Sequence, residues 1–507
     1  MRALLVLLIA TPLSLGAQGS PSPAPSPYIP LAHWAMPYIE HLITAGVIRD
    51  PSPLTRPLRQ DAVMRALGAL DTASMPPVLR STIRRLFAEW APRREPHYRA
   101  ELSIGGAAAT QAVRDPLELN RGVPEHQLDR RAFFNTGADV EVLFGPVVGV
   151  SHMVVDTRLE FDPDWYGKPN NATRFEEAYV SAQGSAGELF FGILDRNWGP
   201  AGVQGLLLSD NPYGVDHLAV TVGAHGLQLQ TWAAQLDTRT DSGAPVNRYL
   251  VQNRLWIHPG RWTLALWDAG VIDGVGETFP FRYLNPATIT YFRVNGSEDV
   301  NNELGLEFER RGWVTVFGQF MIDDIQVSRG SGADSIGNLK PASVAFTVGA
   351  KGRLASAAAT WIAFYTQVGN LTYRNADSLQ GPLYYGLGTG RNFDDYDQAT
   401  VKLDLLVRPL LLLEPEVTVL RQGEGDPHLL QPPFAQYATT PVLFQGVVER
   451  IVRLALGACW TVGGTSVVAN AGIHVLQNAD HVTGASKSEF VGSLGVTYRF
   501  HHQDAIP

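Results

Sequence analysis

The sequence predicts an all-β, antiparallel transmembrane barrel of about 16 to 18 strands, with 18 favoured, after a small N-terminal helical periplasmic region. Three observations predict it. Apolar and polar residues alternate with a period of two from about residue 99 to Phe500, as on strands with one apolar and one polar face. Tight turns alternate with long polar segments, as at the two ends of such barrels. The alternating segments run for about 9 to 13 residues, enough for a tilted strand to cross a bilayer.

The composition excludes several classes of function. The chain has 507 residues, with 40 Lys and Arg against 49 Asp and Glu and a formal charge of −9. This balance provides no basic field for a nucleic-acid backbone, so no nucleic-acid partner is expected. The single cysteine, Cys459, can form neither an internal disulfide nor a multi-thiolate metal site. No cofactor is expected.

Residues 1–19 are predicted to be a cleaved signal peptide. Arg2 precedes a short apolar run at 4–10, and small residues follow as far as Gly19, which is the pattern of an export signal. Residues 20–30, SPSPAPSPYIP, are predicted to be an extended Pro- and Ser-rich linker. With the alternating strands, the signal predicts the outer membrane of a Gram-negative-type bacterium.

Residues 31–98 are predicted to be a helical periplasmic region. Three apolar stripes at helical spacing, separated by prolines at 51–53 and 76–77, predict three helices. The stretch HWAMPYIEHLITAGVI, followed by LTRPLRQDAVMRAL, resembles one S-layer-homology unit, a family that binds cell-wall polymers. The resemblance implies contact with the cell wall. The alternative is a helical plug or handle packed on a larger body.

The predicted barrel covers residues 99–501, and residues 502–507 are predicted to be a tail. Alternation is clear over 152–161 and 490–500, and the last segment ends on an aromatic residue, as is typical of outer-membrane proteins. A barrel of this size encloses a lumen. The residues predicted to give it charge are Asp139, Glu141, Asp156, Arg158, Glu160, Lys402 and Asp404.

No constellation of residues predicts catalysis, so the protein is not expected to be an enzyme. Ser209-Asp210-Asn211 matches one motif of serine β-lactamases, but the accompanying S-x-x-K and K-T-G motifs are absent from the sequence. Asp323 and Asp324 are adjacent on a predicted strand and point to opposite faces, so they cannot act as a glycosidase pair.

An ordered series of motifs between about residues 175 and 400 resembles the Wzi-type family of capsule-assembly outer-membrane proteins. The motifs are WGP, LLLSDNP, NRYL, NRLWIHP, FRYLNP, LGLEFE, GQFMIDD and YYGLGTG. The resemblance implies a plugged barrel of about 18 strands with periplasmic helices. It also implies a surface lectin that attaches capsular polysaccharide or exopolysaccharide to the cell.

Seven residues are the candidate polysaccharide ligands. Aromatic faces stack on sugar rings, and guanidinium groups donate paired hydrogen bonds to carboxylates and hydroxyls. The candidates lie in the first motifs of the series: Arg196, Trp198, Asp210, Asn211, Arg248, Arg254 and Arg282. The open alternative is that WGP and SDN only fix the conformation of the loop, with Asn211 capping turns.

Two other functions remain open from the sequence. A large barrel with a charged lumen also fits an outer-membrane porin or a substrate-specific channel. A structural role, in which the helices tether the barrel to the envelope, is the other alternative. The expected partners are a surface polysaccharide and outer-membrane lipid, with the cell wall as a further one, and the protein is expected to be a monomer.

Overall fold

The computed structural model describes residues 25–90, 97–110, 132–162, 165–167, 172–224, 226–279, 281–285, 300–324, 343–433, 436–437 and 439–505. These residues form a closed antiparallel barrel of 18 strands with three helices, which confirms the predicted fold class. The predicted signal peptide 1–19 and residues 20–24 of the predicted linker lie outside the described residues. Among the helices described, none has the length and apolar character needed to cross a membrane.

The barrel strands follow one another in chain order around the barrel. They are β1 His97–Ala109, β2 Ala132–Phe144, β3 Val147–Asp156, β4 Thr173–Gly184, β5 Gly187–Ile193, β6 Asp216–Ala224, β7 Leu227–Gln235, β8 Ala244–Ile257, β9 Trp262–Val275, β10 Val300–Arg310, β11 Val314–Asp324, β12 Ser343–Arg353, β13 Ala359–Val368, β14 Tyr396–Arg408, β15 Leu411–Gln422, β16 Glu449–Val462, β17 Thr465–Gln477 and β18 Ser486–Ala505. A short strand at Arg239–Asp241 also pairs with β8.

The last strand closes the barrel by pairing with the first. Ser493 lies opposite Ala109, and Ala505 lies opposite His97. Residues 502–505, expected in a tail, therefore belong to β18, because the backbone at the start of β1 needs hydrogen-bond partners to leave no open edge.

One predicted strand is longer than the observed one. The alternation over 152–161 predicted a continuous strand, but β3 ends at Asp156 and a short 3₁₀ helix spans Leu159–Phe161. The chain turns there because the Asp156 carboxylate accepts hydrogen bonds from the backbone N–H and the guanidinium of Arg158, at 2.9 and 2.6 Å. Arg158 and Glu160 therefore lie in a loop and not on a lumen-facing strand.

The connections between strands differ sharply at the two ends of the barrel. At the short-turn end, where β1 begins and β18 ends, the connections are 145–146, 185–186, 225–226, 258–261, 311–313, 354–358, 409–410 and 463–464. At the long-loop end, the connections include 157–172, 194–215, 236–243, 276–299, 369–395 and 423–448. In outer-membrane barrels, short turns face the periplasm and long loops face the outside.

The outer surface of the barrel carries a band of apolar side chains. Alternate strand residues are large, apolar and exposed, while their neighbours point inward, as a strand in a bilayer requires. Examples are Leu102, Ile104, Val140, Phe191, Leu266, Leu454, Leu456, Phe490 and Leu494.

The three helices pack at the short-turn end. They are α1 Met36–Thr44, α2 Gln60–Gly68 and α3 Pro77–Glu89. Prolines in the first turns of α1 and α3 suit positions where the backbone N–H has no intrahelical acceptor. The helices bury an apolar core that includes barrel residues near the short turns: Leu406, Leu410, Leu412 and Cys459.

The segment before α1 is fixed to the barrel and is not an extended linker. Tyr28–Ile29 pairs with Leu58–Arg59, and Ile29 is fully buried. The backbone N–H of Ser26 donates to Gln183 Oε1 at 2.9 Å, and that of Tyr28 donates to Tyr179 Oη at 3.0 Å. The residues between the prolines thus find hydrogen-bond acceptors on the barrel wall, which the Pro- and Ser-rich composition did not reveal.

Candidate functional site

The loop at 194–215 folds into the barrel. Its residues Leu206, Leu207 and Leu208 are buried in one core cluster with side chains from the inner face of the wall. Those wall residues include Trp232, Leu250, Trp267 and Met321. The loop therefore fills part of the lumen with apolar side chains.

A second loop, 369–395, enters the barrel and binds the first. Ser209 N donates to Thr389 O at 2.8 Å, and Asn211 Nδ2 donates to Gly388 O at 2.9 Å. A Cβ atom at Gly390 would lie 2.0 Å from Leu206 O, so only glycine permits this approach of the two loops. Two motifs distant in sequence, LLLSDNP and YYGLGTG, thus meet inside the barrel.

The N-terminal segment enters the lumen from the opposite end. Thr55–Arg56 pairs with Asn197–Trp198, and Gly199 N donates to Leu54 O at 3.1 Å. The two long-loop segments and the N-terminal segment together cross the lumen; we call them the plug.

Arg254 on the barrel wall contacts both the N-terminal segment and the 194–215 loop of the plug. Its guanidinium donates to Leu54 O at 2.7 Å and to Thr55 Oγ1 at 2.8 Å, lies 5.0 Å from the centre of the Trp198 ring, and forms an ion pair with Glu307. Arg254 and Glu307 have fully buried side chains. Gln319 Nε2 contacts Glu307 and also donates to Trp198 O at 2.9 Å. This network links one wall of the barrel to both ends of the plug.

Two of the cavities among the described residues lie between the plug and the wall. One, of about 390 Å³, lies between α1, the 194–215 loop and β13 to β15, and charged groups line it: Glu40, Arg56, Asp210, Lys402, Asp404 and Glu414. The other, of about 270 Å³, lies between the N-terminal segment and β5 to β8, and its lining includes Tyr28, Arg59, Arg196, Trp198 and Trp256. Residues of the N-terminal segment and of the 194–215 loop border both cavities.

Four of the seven candidate ligands are buried in the plug or bound to it. Arg248 is fully buried, forms an ion pair with Asp237 at 2.9 Å, and donates to Leu379 O and Gly381 O, each at 2.5 Å. Trp198, Asn211 and Arg254 have the contacts given above. In this conformation all four bind other parts of the protein, which agrees with the alternative that these motifs shape the loops.

The other three candidates lie apart from one another. Arg196 is half-buried in the 270 Å³ cavity, donates to His217 Nε2 at 2.9 Å and lies 4.4 Å from the centre of the Phe190 ring. Asp210 is exposed to the 390 Å³ cavity, and Arg282 is exposed outside the barrel. A polysaccharide-binding role for the seven residues stays a prediction.

Arg282 belongs to a segment that covers the outer wall. Residues 277–279 and 281–285 lie against outward-facing side chains of β7 to β9: Asn253 Nδ2 donates to Tyr283 O at 3.2 Å, and Tyr249 Oη donates to Glu277 O at 3.3 Å. Thr231 Oγ1 donates to Asn253 Oδ1 at 2.8 Å beneath this cover. Residues 286–292 of the FRYLNPATITYF segment lie outside the described residues.

An aromatic cluster at the long-loop end was missed by the sequence analysis. Tyr166 and Tyr385 stack with ring centres 4.2 Å apart and planes at 10°, and they are 42% and 47% exposed. Trp165, Tyr213 and Tyr384 surround them with ring centres 4.7 to 6.1 Å apart. We call these five residues the aromatic platform.

Charged groups hold the platform in place. The backbone N–H of Tyr385 donates at 3.1 Å to the same Asp237 carboxylate that pairs with Arg248. Tyr213 Oη donates to Asp162 Oδ2 at 2.5 Å. Burial raises the pKa values of Tyr166 and Tyr384, so their hydroxyls remain protonated and able to donate at neutral pH.

The His428–Asp426 pair lies next to the aromatic platform. His428 Nε2 lies 2.7 Å from Gly386 O, and His428 forms an ion pair with Asp426 at 2.6 Å. The hydrogen bond to Asp426 raises the pKa of His428. Exposed aromatic faces beside charged and hydroxyl groups are suited to sugar rings and their substituents. The described residues contain no cluster of His, Cys, Asp and Glu that could hold a metal ion.

The aromatic doublets at 165–166 and 384–385 were a usable sequence signal. Tyrosine or tryptophan pairs in polar loops stand out from the alternating strands. The two doublets contact each other only because the 369–395 loop folds inward beside residues 165–166. No local sequence pattern predicts that fold of the loop.

Comparisons with known proteins place the fold among outer-membrane barrels. Sequence searches match no protein family and no curated protein. In structure, the chain is similar to Wzi of Escherichia coli, an outer-membrane protein involved in group 1 capsule assembly and described as a carbohydrate-binding β-barrel: the TM-score is 0.61 at 14% identity, covering 93% of this chain and 98% of that one. At this identity the likeness shows the fold.

Two porin structures are more distant. OprD of Pseudomonas aeruginosa has a TM-score of 0.43 at 12% identity, covering 80% of this chain and 95% of that one. A BenF-like porin of Pseudomonas fluorescens Pf-5 has a TM-score of 0.46 at 11% identity, covering 80% of this chain and 99% of that one.

Proposed function

We propose that this chain is an outer-membrane barrel that attaches a capsular or other extracellular polysaccharide to the cell surface without catalysis. The long loops carry the binding surface, and the short-turn end with its helices faces the periplasm. The carbohydrate binding stated for Wzi, a barrel of the same fold, supports the proposal.

The aromatic platform is the observation that carries this proposal. Its two most exposed rings, Tyr166 and Tyr385, come from different loops, and the backbone N–H of Tyr385 donates to the Asp237 carboxylate that pairs with the buried Arg248. A soluble sugar chain has flat C–H faces that pack on such rings, while tyrosine hydroxyls and the Asp426–His428 pair bind its polar groups. A rigid platform loses little conformational entropy when a ligand binds.

The second candidate function is a channel, and the two cavities favour it. They occupy about 390 and 270 Å³ beside the plug, so displacement of the plug would join them into a charged path. The contacts among Arg254, Glu307, Trp198 and Thr55 oppose that displacement. We therefore favour attachment over transport.

Direct binding tests the proposal. Purified protein in detergent is titrated with the surface polysaccharide of the source strain, and affinity is compared with that of Tyr166→Ala/Tyr385→Ala. Each stacked aromatic contributes about 0.5–1.5 kcal/mol beyond area burial, so the double variant is expected to bind roughly 5- to 140-fold more weakly. Phe281→Ala, an exposed aromatic on the outer wall, is the matched control and keeps full affinity. Absence of binding by the wild type contradicts the proposal.

A further inference from the structure

Two arginine side chains converge on one histidine at the short-turn end. Arg49 Nη2 lies 2.6 Å from His258 Nε2, and Arg311 Nη2 lies 3.1 Å from the same atom. A guanidinium has donors only, so Nε2 accepts from both, and the other ring nitrogen, Nδ1, faces Thr263 Oγ1 at 2.7 Å. Arg49 precedes the plug segment, whereas His258 and Arg311 lie in the β8–β9 and β10–β11 turns. Two positive charges are therefore held side by side where the N-terminal region meets the barrel rim.

Two further arginines extend this charge along the rim. Arg261 and Arg310 are exposed and flank the same turns. Among the described residues, none of the four guanidiniums has a carboxylate within ion-pair distance. The nearby carboxylates are engaged elsewhere, since Asp50 pairs with Arg56 at 2.8 Å and Glu309 lies 3.9 Å from Lys351. The four arginines, Arg49, Arg261, Arg310 and Arg311, form what we call the arginine rim.

The arginine rim borders the lipid-facing surface. Trp262 and Arg310 are register partners on β9 and β10, and the Arg310 guanidinium lies 5.8 Å from the centre of the Trp262 ring. Leu264 and Leu266 continue the outward row on β9 and are exposed. Trp313, in the next turn, is 92% exposed. Tryptophans at this height mark the boundary between hydrocarbon and headgroups.

We propose that the arginine rim binds the phosphate of an anionic phospholipid in the membrane leaflet at the short-turn end. Guanidiniums bind phosphate oxygens through paired hydrogen bonds, and basic clusters at a membrane surface select anionic lipids. The acyl chains pack beside Trp262 on the apolar wall, which a free phosphate ion cannot do. Because Arg49 belongs to the N-terminal region and the other three to the barrel, the bound lipid joins the two. This inference requires the membrane location but not polysaccharide binding.

The selective binding of anionic lipid tests the inference. The purified full chain is reconstituted in nanodiscs of phosphatidylcholine, with and without phosphatidylglycerol, and retained lipids are counted by native mass spectrometry after extraction. Each arginine near a lipid surface contributes about a fivefold preference for anionic lipid. Arg261→Gln/Arg310→Gln is therefore expected to lose roughly 10- to 30-fold in phosphatidylglycerol affinity. Both residues are exposed, so the barrel still folds.

The matched control is Arg353→Gln, which removes an exposed arginine at the same end, on β12. It keeps the affinity and the retained phosphatidylglycerol of the wild type. Equal retention of phosphatidylglycerol and phosphatidylcholine by the wild type overturns the inference. So does an equal loss in the rim variant and the control. Stabilisation by inorganic phosphate in detergent to the same extent as by phosphatidylglycerol would also overturn it, because it would show a simple anion site.

Discussion

Thr55 and Trp198 lie opposite each other in a two-residue antiparallel ladder inside the barrel. Trp198 arrives on a loop from the long-loop end, and Thr55 arrives on the N-terminal segment from the short-turn end. Arg254 on the wall contacts both residues and pairs with the buried Glu307. Two parts of the chain that contact each other therefore cross the lumen.

The plug predicts the electrical behaviour of the protein. In planar bilayers the wild type is expected to show little steady conductance. Arg254→Met leaves Glu307 buried without its partner, which costs about 3–5 kcal/mol, so this variant is expected to show frequent openings. Arg254→Met/Glu307→Gln removes the stranded charge and is expected to open less often. Large, reproducible steps in the wild type would contradict the account.

The fold was predictable because its signals are local. Alternation such as that of Leu304, Leu306 and Phe308 follows from strand geometry in a bilayer, and helical spacing predicted α1 to α3. The plug was not predictable from such patterns, because Thr55 and Trp198 are distant in sequence and reach each other from opposite ends of the barrel. The alternation over 152–161 wrongly predicted one continuous strand, because Arg158 binds Asp156 and the chain turns where β3 ends.

Docking of α1 to the barrel is expected to weaken at low pH. His41 Nε2 lies 2.9 Å from Ala357 O, and burial lowers the pKa of His41 below 6.5. The undocked helix therefore binds a proton more readily, and docking that is complete above pH 6.5 is lost as the pH falls below it. The protection of Met36–Thr44 against hydrogen exchange, corrected for the pH dependence of the intrinsic rate, should fall as the pH drops below 6.5.

The control for this prediction is His41→Gln, which keeps a donor for Ala357 O but does not titrate. Burial also lowers the pKa of His33, so the control should reduce the pH response without abolishing it. An identical response in the wild type and in His41→Gln would contradict the assignment.

The cover on the outer wall is expected to depend on Asn253. This side chain is 2% exposed, faces outward and bonds both Tyr283 O and Thr231. Asn253→Val removes both hydrogen bonds, at a cost of about 1–3 kcal/mol. The temperature at which the barrel shifts mobility in a gel should fall, and proteases should cut within 277–285. Leu255→Val, at the next outward position on β8, is the control; equal effects of the two changes would contradict this role.

The partners of the candidate site residues could not be predicted from the sequence. The motif series predicted Arg248 and Arg254 as polysaccharide ligands, and in the structure both bind other parts of the protein. A sequence motif does not distinguish a protein partner from a ligand. Tyr166 and Tyr385 lie in separate loops, so their stacking depends on how the 369–395 loop folds back. The presence of aromatic residues in the loops suggests that sugar rings stack there, but it does not predict which aromatic rings contact each other.

The most direct test of the central claim is the ratio of cell-bound to released polysaccharide. It is measured in the wild-type strain, in a strain lacking the gene, and in one carrying Tyr166→Ala/Tyr385→Ala at normal barrel levels. The account predicts unchanged total synthesis, release of the polymer into the medium in the deletion strain, and partial release in the double variant, because many copies engage each chain. An unchanged ratio in the deletion strain would contradict attachment as the function of this protein.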